Sequence, residues 1–265
     1  MSTSAASLEL PVPEHPGDVV GGTSPITREA TDLARVYVWQ IPVRITHWLI
    51  ALSIFVLAAT GFYIGHPFWT VIGQARQHFF TGAVRVVHLY AAIVFVLAVL
   101  SRIVWMFMGN RYASWRIFIP IEKKRARGIW PTLKFYLFGL RKPPGFLSHN
   151  PVAALAYSAI FCLYFLEIAT GLALYSIQAP VGSPLHAFHV FLPVLGGAQF
   201  ARWMHHVIMW LLLGFVVHHI YSGWLMSIVE GNGTMGSIFD GYKFVHREDL
   251  IHSGYRFLHR GRRID

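Results

Sequence analysis

Residues 203–229 read WMHHVIMWLLLGFVVHHIYSGWLMSIV. At about 1.5 Å of rise per residue, this stretch is long enough to cross the ~30 Å hydrocarbon core of a bilayer as one helix. It also carries four histidines, at 205, 206, 218 and 219. An ionisable side chain within a membrane span is costly and needs a partner, a ligand or a wet cavity, so four in one span require a common explanation. At about 100° per residue, His205 and His219 fall within roughly 40° of each other on one helix face and about 21 Å apart along the axis. The pairs His205/His218 and His206/His219 are instead about 140° out of phase. One face of this helix therefore offers an imidazole near each side of the membrane.

The rest of the chain suits that reading. Of 265 residues, 55% are hydrophobic and only 13% charged, a membrane composition. Apolar runs at about 45–65, 84–108 and 151–177 join 203–229 as spans, and no strand-length alternation of the barrel type interrupts them. The expected fold is all-α: a four-transmembrane-helix bundle over residues 36–229, between a polar, Pro/Gly-rich N-terminal tail (1–35) and a C-terminal tail (230–265). With no apolar signal core in the first 35 residues, span one is expected to be an uncleaved anchor.

The net charge of +10 is unevenly placed. Between spans two and three lie Arg111, Arg116, Lys123, Lys124, Arg125, Arg127, Lys134, Arg141 and Lys142, whereas the segment between spans one and two has Arg76 and Arg85, and that before span four only Arg202. The positive-inside rule then predicts both termini and the central segment cytoplasmic, with the other two connecting segments facing outward. Topology accounts for the charge, and nucleic-acid binding is excluded as its explanation. The aromatic-rich GIWPTLKFYLFGLRKPPGF of the central segment suits a helix lying on the inner leaflet. Trp39 and Trp48 suit an interfacial belt, Pro42 suits the first turn of a helix, and Arg102 can snorkel towards the cytoplasm.

Depth and topology sort the histidines. His47 near the start of span one and His219 in span four are expected towards the cytoplasm, His88 in span two and His205 towards the outside. Two imidazoles facing each other across a helical bundle make a bis-histidine haem site, so the spacing predicts His88 with His205 and His47 with His219, for one or two haems b. Zinc or copper would need three or four ligands at one depth. No C-x-x-C-H exists and Cys162 is the single cysteine, so the haem is expected to be non-covalent and no intramolecular disulfide forms. Both axial positions being filled, the remaining chemistry is electron transfer, and no catalytic constellation, P-loop or nucleotide fingerprint is present.

Arg44, Arg85 and Arg202 each precede one of these histidines by three residues, one turn along a helix face, and are expected to meet haem propionates. Gly61, Gly171, Gly214 and Gly223 could give a porphyrin room against the backbone. Spans one and three both end in Ala-Thr-Gly, at 59–61 and 169–171, a weak sign of duplication. Glu167 is expected either to contact a neighbouring helix or to act electrostatically near a cofactor. His66 and His78 are expected to be solvated or to contact a partner rather than to bind haem, the pair His186/His189 is a weak metal signal, and His206 and His218 are assigned to propionate, water or quinone hydrogen bonds.

At Arg44-Ile-Thr-His47-Trp48-Leu49, followed by Thr60-Gly61, the chain resembles the b-type cytochrome subunit of membrane-bound nickel-iron hydrogenases, within a superfamily that includes formate dehydrogenase gamma subunits. His149-Asn150-Pro151 and His205-His206 extend the likeness over roughly 36–243. The resemblance implies a four-helix protein holding haem b through His47, His88, His205 and His219. It implies a periplasmic partner of small (iron-sulfur) and large (nickel-iron) hydrogenase subunits, and a quinone as electron acceptor. Rival expectations are the cytochrome b subunit of a formate dehydrogenase or thiosulfate reductase, a stand-alone b561-type quinol oxidoreductase, and a haem-free membrane anchor or transporter.

Overall fold

A computed structural model describes residues 33–69, 79–110, 112–119, 126–137, 150–246, 258–259 and 262–263. Most of the N-terminal tail, Arg76, His78, Arg111, Lys123, Lys124, Arg125, Arg141, Lys142 and His149 lie outside these residues.

Four helices are long and apolar enough to cross a membrane: α1 (Ile41–Gly65), α2 (Phe80–Met108), α3 (Pro151–Ser176) and α4 (Ala198–Glu230). They are the four apolar runs of the sequence; α1, α2 and α4 are prolonged where the chain continues as helix beyond the hydrocarbon-length stretch, while α3 keeps its expected extent to within a residue. Residues of all four belong to one compact unit, 42–108 with 157–219. At its centre Ile50, Phe95, Val99, Ile160, Tyr164, Ile208 and Leu212 pack together, so α1 to α4 form a bundle with an apolar middle. Its outer surface is apolar too: Phe55, Leu97, Trp210 and Val217 are all exposed. So much exposed apolar side chain is stable only where lipid covers it. Arg102, expected to snorkel towards the cytoplasm, is buried within the fold.

A second compact unit gathers residues before α1, between α2 and α3, and after α4. Strand β1 (Leu33–Tyr37) pairs antiparallel with β2 (Tyr242–His246), with Leu33 opposite His246 and Tyr37 opposite Tyr242. Trp39, expected at a membrane interface, is buried, and its indole Nε1 donates to Ser237 Oγ at 3.1 Å. The Asn110 side chain donates to the Val38 carbonyl at 3.1 Å. Gly241 turns the chain into β2 with φ of 91°, and a Cβ there would meet the Trp39 carbonyl oxygen at 2.6 Å, so only glycine is accommodated.

The aromatic-rich central piece contains a helix at Ile129–Tyr136. Asn150 joins it to the start of α3: its Oδ1 accepts from the Ala153 amide at 2.8 Å, capping the helix, while its Nδ2 donates to the Tyr136 hydroxyl at 3.0 Å. Pro151 follows at the first helical position, where its missing N–H costs nothing. Burial pushes the Tyr136 hydroxyl above the usual phenol range; hydrogen bonding from Asn150 opposes this and the nearby Glu230 adds to it.

Candidate cofactor site

Within the bundle, the four histidines separate into two pairs on either side of the apolar middle. At one end His47 of α1 and His219 of α4 face each other, ring centroids 6.1 Å apart and planes inclined at 51°. Imidazole nitrogen–metal bonds of about 2 Å on each side would place two ring centroids roughly 6 Å apart, so this spacing suits a shared metal ion. The Tyr157 hydroxyl lies 3.0 Å from His219 Nδ1, and the Phe215 ring stacks on the imidazole. His47 Nδ1 is buried with no hydrogen-bond partner among the described residues, and its ring meets Trp48 edge-on.

At the other end His88 of α2 and His205 of α4 lie within electrostatic range of each other. Each is held by a neighbouring helix in the same way. Thr60 Oγ1 is 2.8 Å from His88 Nδ1, and Thr170 Oγ1 is 2.9 Å from His205 Nδ1. Glycine follows each threonine: a Cβ on Gly61 would lie 3.6 Å from His88 Cε1, and one on Gly171 3.3 Å from His205 Cε1. Where Nδ1 is held in this way, Nε2 is the nitrogen left for a metal, which is how metal-bound histidines are ordinarily oriented. Glu167 Oε2 also approaches His205 Nδ1, to 3.3 Å, without forming a hydrogen bond among the described residues.

The other expected cofactor contacts are less closely drawn in. Arg44 is half-buried one turn before His47, while Arg85 and Arg202 are exposed, and Arg202 Nη1 donates to Gln199 Oε1 at 2.9 Å. A Cβ on Gly214 would meet nothing within 4 Å, and one on Gly223 would meet Met235 Sδ at 3.3 Å. His206 donates from Nδ1 to the Arg202 carbonyl on its own helix at 2.8 Å. His66 and His218 are exposed. His186 and His189 stack on each other, centroids 5.3 Å apart. Among the described residues no group of three or more His, Cys, Asp or Glu could hold a metal ion; an imidazole pair such as His47 and His219 suits an ion that brings its other ligands with it, as haem iron does. Sequence reasoning missed Thr60, Thr170 and Tyr157. The repeated Ala-Thr-Gly was the available signal for the first two.

An apolar four-helix bundle with one facing imidazole pair, His47 and His219, and two further inward histidines, His88 and His205, has the features of a membrane b-type cytochrome, and the comparisons with known proteins show that class. Residues 38–241 match the family described as prokaryotic cytochrome b561, and the chain belongs to it. Membership implies a b-type haem, whose two axial positions and apolar surroundings the residues above fit. The chain is 35% identical over 212 residues to a protein of Escherichia coli K12 named "Probable Ni/Fe-hydrogenase 1 B-type cytochrome subunit", covering 78% of this chain and 90% of the relative. Proteins named "Probable Ni/Fe-hydrogenase B-type cytochrome subunit" from Cupriavidus necator (32% identical; 85% of this chain and 94% of the relative covered) and Rhodobacter capsulatus (33%; 86% and 90%) are similar over still more of its length. Such subunits are electron-transfer components.

Proposed function

We propose that this chain is the membrane electron-transfer subunit of a nickel-iron hydrogenase, passing electrons from periplasmic iron-sulfur and nickel-iron subunits to the quinone pool. The observation that carries this is the division of its histidines into two pairs at opposite ends of one bundle. Haem b, when bound between two imidazoles, supplies one-electron transfer without an open coordination position. His88 and His205 hold one haem and His47 and His219 the other. Thr60, Thr170 and Tyr157 orient three of those four rings through Nδ1. The apolar layer from Ile50 to Leu212 keeps water and protons out of the space between the pairs.

The skew of Arg and Lys towards the segment between α2 and α3 supports cytoplasmic termini, and with them a periplasmic position for His88 and His205, nearest the partner. Arg44, Arg85 and Arg202 lie one turn from His47, His88 and His205 and would supply cationic partners for the carboxylates of a haem held there. Near His47, an open groove of about 380 Å³ runs between α1 and α2, lined by Pro42, Thr46, Leu49, Val94, Leu97 and Ser101. Its size and apolar walls suit a quinone ring and the start of an isoprenoid tail.

Hydrogen-driven reduction tests the whole path. In membranes containing the chain and its hydrogenase partner, hydrogen should reduce the b-type absorbance, added quinone should reoxidise it, and tagged chain should copurify with the iron-sulfur subunit. Copurification with a molybdenum-containing dehydrogenase, or a b-type spectrum indifferent to hydrogen, would overturn the proposal.

A further inference from the structure

The last turns of α1 and α3 do the same thing to two different histidines. In each, a threonine hydroxyl reaches the Nδ1 of a histidine on the next helix in sequence, Thr60 to His88 and Thr170 to His205. In each, that hydroxyl also lies against the carbonyls three and four residues before it: Thr60 Oγ1 is 2.7 Å from the Val56 oxygen and 3.2 Å from Leu57, and Thr170 Oγ1 is 2.9 Å from Leu166 and 3.0 Å from Glu167. A hydroxyl has one proton, and a carbonyl oxygen can only accept. The threonine proton is therefore committed to its own helix, and towards the imidazole the oxygen acts as acceptor. Nδ1 must then carry the proton in both rings and Nε2 the lone pair. The glycine after each threonine faces the ring edge: a Cβ there would lie 3.6 Å from His88 Cε1 and 3.3 Å from His205 Cε1, the second closer than an ordinary contact.

We infer that Thr60-Gly61 and Thr170-Gly171 are a matched pair of positioning devices, which fix the tautomer of His88 and His205 and tune the haem held between them. This rests on the assignment of those two histidines as axial ligands. An N–H donated to an oxygen makes the imidazole a more basic ligand, which favours ferric over ferrous iron and lowers the reduction potential. The two cradles differ in one respect: the residue three before the threonine is Leu57 in one and Glu167 in the other, so the carboxyl group stands beside His205 alone.

The experiment is a potentiometric titration, with low-temperature electron paramagnetic resonance, of the purified complex carrying Thr60→Val, Thr170→Val, both together, Thr60→Ser/Thr170→Ser, and His205→Ala as reference. The expected result is a rise in the midpoint potential of one haem in each valine variant, a larger rise in the double, a shifted low-spin g value for that haem, and no change at the other haem. Serine should restore the wild-type values. Unchanged potential and g values in the double valine variant overturn the inference. Should the double valine variant fail to retain that haem, serine variants that keep it at the wild-type potential support the hydroxyl acceptor, and serine variants that also lose it overturn it. If His205→Ala keeps both haem signals, the ligand assignment itself has failed, a separate result from failure of the threonines.

Discussion

At the scale of single residues, the neighbourhood of His205 is the more tightly built. A methyl group on Gly171 would press on His205 Cε1 at 3.3 Å, closer than a relaxed carbon–carbon contact, and Thr170 beneath the ring is fully buried, so neither side can yield easily. Gly171→Ala should cost about 1–3 kcal/mol of stability, in the range of other overpacking changes. Gly61→Ala, with 3.6 Å to His88 Cε1, should cost less. Thermal unfolding followed by loss of the haem absorbance band checks the order, and an equal or reversed effect would show that the rings can move. The histidines themselves were legible in sequence because helical spacing converts residue numbers directly into angle and depth. The threonines were not, because a threonine in a membrane helix usually satisfies itself on its own backbone. Only the identity of the helix packed opposite shows that Thr60 and Thr170 have a second partner.

Among the elements, the β1–β2 pair was least visible beforehand. Its two five-residue strands are some two hundred positions apart in the chain, and neither is long enough to declare itself by alternation. The same remoteness hid the burial of Trp39, whose sequence context is that of an interfacial tryptophan. Helix ends were misplaced for a different reason: hydropathy marks the part of a helix that lies in hydrocarbon, whereas α1 starts at Ile41 and α4 at Ala198. Within the sheet, Lys243 of β2 is buried beside the Trp39 ring. Burial holds its ammonium below the usual lysine range, and Glu230 partly offsets that. A lysine lowered in the folded state destabilises the fold at pH below its folded value, and the penalty fades as pH rises towards the ordinary lysine value. The sheet should therefore become more stable from neutral to alkaline pH, and Lys243→Met should flatten that slope. Hydrogen exchange of β1 and β2 amides, corrected for the intrinsic pH dependence of exchange, reads it; a slope of the opposite sign would contradict the assignment of burial as the cause.

At the scale of the whole molecule, four helices, an apolar exterior and histidines grouped at two levels are the arrangement that the proposed passage of electrons between the ends of the bundle requires. The fold class was open to inspection because twenty-residue apolar runs have few alternatives in water or lipid. The pairing His47 with His219 follows from depth alone, and its 6.1 Å ring separation was not a quantity that sequence could supply. Optical redox titration of membranes carrying His205→Ala or His219→Ala addresses the central claim most directly. Wild type should titrate as two b-type components, and each variant should lose a different one while keeping the other. A single component in wild type, or both components surviving either substitution, would contradict it.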